Sequence, residues 1–255
     1  MQMPIPIPVA VLLLVFARWA ALAAVLPGSG LLPLPVRFRL AAAGAISILL
    51  APLQLSALPA PPPAIELAWM AGHELMIGLA IGTAVLLMIQ GLQLAAQLIS
   101  QLSGFSLRGL LTGAGIDSQP APARLIVFCV IAALLAIGGH RQVMDVALSS
   151  YQQAPAGTTL ASTNMLATVT RLFSMSFLVA LRISLPVVTA LLLGLLVSGW
   201  ISRLVPQLNM LVLGWNTSAL LGMVLILFTI GGMSWVFQEQ LAEAMRLVGD
   251  FWQPA

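Results

Sequence analysis

The sequence contains no lysine and few charged residues of any kind. Only 7% of its 255 residues are Asp, Glu, Lys or Arg, whereas about a quarter of the residues in a soluble globular protein are charged. Hydrophobic residues make up 60% of the chain, and the mean hydropathy is +1.07. Because so few charges cannot cover a water-exposed surface, the composition excludes a soluble enzyme and a disordered protein.

The chemistry needed for several kinds of site is also missing. The net charge of +3 comes from ten arginines and seven acids, but the arginines are scattered singly and form no basic patch that would bind nucleic acid. The single cysteine, Cys129, lies in an apolar run and has no partner for an intramolecular disulfide, so we expect a core thiol. No Cys–His cluster, catalytic triad, carboxylate pair or phosphate loop is present. The sequence therefore predicts neither a cofactor nor an enzyme.

Long apolar runs dominate what is present. A transmembrane helix needs about 20 apolar residues to cross roughly 30 Å of hydrocarbon, and strands with unpaired edges cannot span lipid. Pro52 and Pro186 lie inside runs, where each should kink or end its helix. The sequence predicts an all-α polytopic membrane protein with about six hydrophobic, partly kinked helices, at about residues 7–26, 40–58, 70–99, 122–139, 173–200 and 208–234.

The C-terminal segment differs in pattern from these runs. Apolar residues recur there every three or four positions, and charged residues occupy the opposite side, which is typical of an amphipathic helix. We expect this helix to lie on a membrane surface or against a partner protein. The apolar face comprises Phe237, Leu241, Met245, Val248 and Phe251, and the charged face comprises Glu239, Glu243, Arg246 and Asp250.

Two arginines fall within or near apolar runs. Placing an arginine at the centre of a bilayer costs about 2.5–3.5 kcal/mol on insertion scales. Arg18 and Arg182 could reach the membrane surface from a helix end, or their helices could pack inside a protein assembly where arginine meets acids or carbonyl groups. The sequence leaves both interpretations open.

The third apolar run changes character along its length. Glu74, Gly78 and Gly82 are spaced by four, which places small residues on one helix face and favours close packing. Four glutamines continue at spacings of three and four, and lipid offers their amides no hydrogen bonds. We therefore expect this polar stripe to face other helices or water; it comprises Gln90, Gln93, Gln97 and Gln101.

Two breaks in the apolar pattern are candidate functional segments. Residues 104–120 are rich in glycine and indicate either a solvated loop or a mobile segment that enters a pore or contacts a partner. The second break predicts a turn between two long helices, because Pro206 lacks an amide donor and disfavours helix at the preceding residue. Arg203, Gln207 and Asn209 could bind the backbone groups freed at that turn.

Four segments, in order along nearly the whole chain, resemble the FliR family, the export-gate proteins of flagella and type III secretion systems. The resemblance departs from the family at Gly214-Trp215-Asn216, where members usually have glycine, an aromatic residue and proline. The matching segments are Phe16-x-Arg18 with Pro27-Gly28, Pro35-x-Arg37-x-Arg39 and Ala51-Pro52; Glu74 to Gln97; Gly104 to Asp117 with Gly139-His140; and Leu185-Pro186 with Arg203 to Asn209 and Gly214.

This resemblance implies a structural subunit of the flagellar export gate in the bacterial inner membrane, at the flagellar basal body. It implies a single integral-membrane domain in which about residues 1–155 resemble FliP and about 156–255 resemble a FliQ hairpin. The implied partners are FliP, FliQ, FlhB and FlhA, with membrane lipid around the gate and exported flagellar proteins as its cargo. The alternatives are a virulence-type secretion gate and, from another class, an autonomous multi-span transporter or channel.

The resemblance also assigns roles to residues. Arg18, Arg37, Arg39 and Arg182 would be structural arginines, and the hairpin turn would be built by Arg203, Pro206, Gln207 and Asn209. The glycine-rich segment would be the plug of the export lumen, with the residues Gly104, Phe105, Leu107, Arg108, Gly109, Leu110, Leu111, Gly113, Gly115 and Asp117.

Overall fold

The described part of the protein is helical throughout its regular structure. The computed structural model describes residues 6–25, 35–58, 60–104, 120–136, 138–157, 165–204 and 210–250. Within these ranges there is no strand. The helices are α1 (Ile7–Val25), α2 (Val36–Leu50), a 3₁₀-helix (Ala51–Ala57), α3 (Ala64–Leu102), α4 (Ala121–Ala136), α5 (Gly139–Gln153), α6 (Met165–Leu204) and α7 (Met210–Asp250).

The predicted number of about six membrane spans is confirmed. Five helical segments of the described chain are long and apolar enough to cross a bilayer, and the bent pair α4–α5 would make a sixth. The α-helix of the second span ends at Leu50, before Pro52, and continues as the 3₁₀-helix. Pro186 does not end its helix, because α6 runs through it. The five segments are Ile7–Val25, Val36–Ala57, Ala64–Leu102, Ala167–Ile201 and Ser218–Gly249.

The chain divides into two compact units that share the long helices. The first unit contains residues up to Leu87, His140–Phe173 and the chain from Leu241 onward. Inside it, α1 and α3 pack closely and run parallel, because Arg18 meets Gly78 and Leu22 meets Gly82, four residues further along each helix. Since two consecutive spans run antiparallel, parallel packing of the first and third is the arrangement expected when α2 crosses back between them.

The second unit contains residues Met88–Gly139 and Ser174–Gln240. Its core is built from apolar residues that recur every three or four positions, such as Met88, Leu92 and Ile99 of α3. In this unit α6 and α7 pack antiparallel: Gly194 lies against Leu221, and Gly222 lies against Leu191. The positions in each pair are equally distant from about residue 207.

The predicted amphipathic segment is the last part of α7 rather than a separate helix. Its apolar positions Phe237, Leu241, Met245 and Val248 are buried, and Glu239, Glu243 and Arg246 are exposed. The predicted amphipathic pattern is therefore confirmed, but the expected location was wrong. The apolar face is buried in the interior of the protein itself, not on a membrane surface or against a partner.

Candidate functional site

Arg18 lies at the centre of a buried polar cluster in the first unit. Its side chain is 2% exposed, and each of its three guanidinium nitrogens donates a hydrogen bond. Nε donates to Glu74 Oε2 at 2.6 Å, Nη1 to Ser150 Oγ at 2.9 Å, and Nη2 to the Ala154 carbonyl oxygen at 2.9 Å. The cluster therefore joins α1, α3 and the C-terminal end of α5.

Glu74 is held by both of its oxygens. Oε2 pairs with Arg18, while Oε1 accepts a hydrogen bond of 2.9 Å from the backbone N–H of Gly157. Gly157 has a φ of +89°, a conformation that only glycine adopts at little cost. The geometry of the turn at residues 154–157 thus aims a backbone donor at the buried carboxylate.

An aromatic ring covers the guanidinium group. The Arg18 Cζ atom lies 4.0 Å from the centroid of the Tyr151 ring, within the range of a cation–π interaction. Tyr151 belongs to α5, which also supplies Ser150. One helix turn therefore contributes both a hydrogen-bond acceptor and an apolar cover to the same arginine.

The cluster is suited to holding helices together. A buried ion pair contributes little net stability compared with apolar side chains, but removing one partner costs about 3–5 kcal/mol because the other charge is left buried. Loss of Arg18 or of Glu74 alone would therefore destabilise the packing of α1, α3 and α5.

The predicted glycine face of α3 makes this packing possible. A Cβ atom on Gly78 would overlap the carbonyl oxygen of Arg18 and would lie 2.9 Å from Ala21 Cβ. A Cβ on Gly82 would lie 3.1 Å from Val25 Cβ. Glu74, Gly78 and Gly82 thus lie on the face of α3 that meets α1, and the glycines bring the two backbones into contact.

The predicted glutamine stripe is largely on the surface of the isolated chain. Gln90 and Gln101 are exposed, Gln97 is half-buried, and Gln93 is 7% exposed. At 100° per residue, Gln90, Gln97 and Gln101 share one face of α3, and Gln93 lies at its edge. The described structure therefore has a polar strip on the otherwise apolar second half of α3.

The other predicted site residues lie apart from this cluster or outside the described residues. Arg37 and Arg39 are at the start of α2, Arg182 is exposed in the middle of α6, and Arg203 is exposed in its last turn. Gly104 follows α3 with a φ of +77°. The residues outside the described ranges are Phe105, Leu107, Arg108, Gly109, Leu110, Leu111, Gly113, Gly115, Asp117, Pro206, Gln207 and Asn209.

Sequence reasoning left Arg18 without a partner and missed four members of the cluster. Ser150, Tyr151, Ala154 and Gly157 contribute through positions that depend on tertiary packing, so no local pattern marks them. A usable signal was present for the ion pair itself. Arg18 and Glu74 are lone opposite charges in separate apolar runs, and charges within membrane spans usually pair with one another.

Comparison with known proteins gives a consistent result over most of the chain. The family model described as bacterial export proteins, family 1, matches residues 9–244. The flagellar biosynthetic protein FliR of Caulobacter vibrioides is 26% identical over 92% of this chain and 94% of its own length. FliR of Escherichia coli is 24% identical over 85% of this chain and 82% of its own length, and FliR of Bacillus subtilis is 27% identical over 79% of each.

Proposed function

The chain belongs to the bacterial export proteins of family 1, and from this membership we propose that it is a structural subunit of the flagellar type III protein-export gate. The observation that carries the proposal is that relatives named for flagellar biosynthesis match nearly the whole chain rather than one segment. A conduit subunit needs packed helices and a polar surface for the passage, but no catalytic group. The buried cluster around Arg18 and the polar strip of α3 meet these requirements.

We propose that the subunit works in an assembly with FliP and FliQ, together with FlhB and FlhA, in the inner membrane at the flagellar basal body. The apolar surface supports such an assembly, because large side chains of α6 and α7 are left uncovered in the isolated chain. The polar strip of α3 supports it too, since lipid cannot satisfy amide groups. The uncovered side chains include Leu193, Trp200, Leu220, Phe228 and Trp235.

We propose that about residues 156–255, which contain α6 and α7, form the FliQ-like hairpin portion and that about residues 1–155 form the FliP-like portion. The antiparallel contacts equally distant from about residue 207 support this division. The proposed turn residues Pro206, Gln207 and Asn209 lie between the end of α6 at Leu204 and the start of α7 at Met210. Arg203, in the last turn of α6, is near the carbonyl groups that a helix leaves unpaired at its C-terminus.

We propose that the glycine-rich segment after α3 is the plug that closes the conduit at rest. Gly104, which follows the end of α3 and its polar strip, has a left-handed backbone with a φ of +77°. The base of the segment is fixed by packing, because a Cβ on Gly222 of α7 would overlap the Ser103 side chain. The segment's leucines supply apolar bulk, and its glycines allow the backbone to reorganise.

Deletion of the gene from its own host tests the function as a whole. We expect cells without flagellar filaments, with hook and filament subunits retained in the cytoplasm and absent from the medium. Expression of the wild-type chain from a plasmid should restore export. Normal flagellation of the deletion strain would overturn the proposal, and loss of virulence-protein secretion with intact flagella would assign the chain to a virulence-type gate instead.

Purification of the tagged full-length chain from wild-type membranes tests the proposed assembly. We expect FliP and FliQ to co-purify with it in mild detergent. A chain that purifies alone while remaining folded, and that conducts ions when reconstituted by itself, would favour an autonomous channel.

A further inference from the structure

The ion pair between Arg18 and Glu74 joins two helices whose contact face repeats every four residues. On α3 the repeat is Glu74, Gly78 and Gly82, and on α1 the corresponding contacts are made one turn apart at Arg18 and Leu22. Gly78 and Gly82 each lie beneath the backbone of α1. A surface with such a repeat can be matched by its partner in more than one register.

A slide of α3 by one turn relative to α1 illustrates the ambiguity. Gly82 would then take the place of Gly78 beneath the Arg18 carbonyl group, and Leu86 would meet Leu22 and Val25. The contact of Leu86 with Leu22 and Val25 would be tighter than the native contact of Gly82, but it would still be apolar. The decisive change would be electrostatic: Glu74 would move one turn, about 5.4 Å, away from the Arg18 guanidinium group.

The slid register would leave both charges without their partners. Arg18 and Glu74 are each 1% exposed, so neither could regain its hydrogen bonds from water. In the native register each guanidinium nitrogen of Arg18 and both carboxylate oxygens of Glu74 make a hydrogen bond. The loss of these hydrogen bonds therefore disfavours the slid register independently of the apolar contacts.

We infer that the Arg18–Glu74 pair selects the register of α1 against α3 and contributes little to the stability of the packed helices. Buried polar groups are known to fix the register of packed helices in this way. The inference does not depend on the proposed role in export. Its effect would be seen in the purified chain whether or not that chain belongs to a flagellar gate.

The test compares the single variants R18M and E74Q with the double variant R18M/E74Q in the full-length chain. Each single variant leaves one buried charge unpaired, so we expect a loss of about 100-fold or more in the ratio of folded to unfolded protein. The double variant contains neither charge, and the amide that E74Q introduces still offers an oxygen to the Gly157 N–H. We expect it to recover most of the stability in a thermal unfolding assay in detergent.

Disulfide cross-linking then reports the register. Cys129, the single cysteine, is replaced by serine. The pair V25C/G82C reports the native register, because Val25 Cβ lies 3.1 Å from the position of a Cβ on residue 82. The pair V25C/L86C uses the same α1 cysteine and reports the slid register, in which residue 86 would occupy the place of residue 82 against Val25. With Arg18 and Glu74 intact, we expect only the V25C/G82C pair to oxidise.

In the R18M/E74Q background we expect both cysteine pairs to form disulfides, because the apolar contacts alone allow both registers. Cross-linking confined to V25C/G82C in this background would overturn the inference, since packing alone would then define the register. A double variant as unstable as the single variants would overturn it too. That result would show that the charges are needed for stability itself.

Discussion

Gly78 shows that the absence of one side chain allows two helices, α1 and α3, to pack in direct contact. The carbonyl oxygen of Arg18 occupies the place that a Cβ on residue 78 would take. On the same helix, Gly72 is exposed and a Cβ there would meet nothing within 4 Å. Glycine weakens a helix interior by roughly 0.5–1 kcal/mol relative to alanine. Its presence at residue 78 is therefore explained by helix contact rather than by helix propensity.

This contrast predicts a graded series of alanine substitutions along α3. Gly78→Ala should destabilise the chain most, because it forces α1 away from α3 and stretches the Arg18–Glu74 hydrogen bonds; overpacking of this kind costs about 1–3 kcal/mol. Gly82→Ala should have a smaller effect, and Gly72→Ala should be neutral or slightly stabilising. Thermal unfolding of the purified variants measures the series. Equal melting temperatures for Gly78→Ala and Gly72→Ala would show that α1 and α3 do not pack as described.

At the scale of elements, α6 and α7 are an antiparallel pair whose contacts define a register. Gly194 lies against Leu221, and Gly222 against Leu191. Each helix is about 40 residues long, far longer than the roughly 20 residues needed to cross a bilayer. The pair therefore extends beyond a single hydrocarbon layer, and contacts near residue 207 are the ones that a hairpin turn would fix.

Cross-linking can test the hairpin directly. With Cys129 replaced by serine, the pair G194C/L221C should be joined by a short bifunctional maleimide, because the two positions are in contact. The control pair G194C/F228C places the second cysteine two turns further along α7, about 10.5 Å away at 1.5 Å per residue. We expect little cross-linking in the control. Equal yields for both pairs would contradict the register and, with it, the proposed turn at Arg203–Asn209.

The proposed plug is tested by deletion of residues 106–116. If the segment closes the conduit at rest, its removal should raise ion leakage in cells that express the variant together with its partner subunits. Assembly should be largely retained, because the packed helices are unchanged. An exposed ion pair such as Arg108 with Asp117 would contribute only about 0–1 kcal/mol, so the variant R108A should leak little. A complex that forms without leaking would show that the segment is only a loop.

At the scale of the whole molecule, the bent pair α4–α5 decides on which side of the membrane the C-terminus lies. The described chain has five span-length helical segments, or six if this pair crosses once. The parallel packing of α1 and α3 already agrees with α2 as a span between them. Six spans would place both termini on the same side, and five would place them on opposite sides.

If six spans cross the membrane, the arginine distribution predicts that both termini lie in the periplasm. At the bounds predicted from the sequence, five arginines lie at or beyond the ends of the apolar runs on one side and three on the other, and the arginine-rich side stays in the cytoplasm. Alkaline phosphatase fused after residue 255 should therefore be active, while a fusion at about residue 30 should be inactive. Green fluorescent protein fused after residue 255 should be dark; a fluorescent fusion there would overturn the prediction. The cytoplasmic set is Arg37, Arg39, Arg108, Arg124 and Arg203, against Arg141, Arg171 and Arg246.

The sequence by itself determined the helical class, the number of apolar spans and the amphipathic pattern of the last helix. These features follow from composition and from periodicity along one helix, which are local properties of the chain. The glycine spacing on α3 likewise predicted a close helix contact. The sequence could not say which helix makes that contact, because the partner depends on how distant segments meet.

Only the tertiary structure decided the partners of Arg18 and the location of the C-terminal apolar face. Arg18 and Glu74 are 56 positions apart, and Ser150 is 132 positions from Arg18, so their contact is fixed by packing and not by spacing. The face containing Leu241 and Met245 is buried by the protein's own residues, whereas its periodicity would suit a membrane surface or a partner equally well. Periodicity reports that a face must be covered; only the fold determines what covers it.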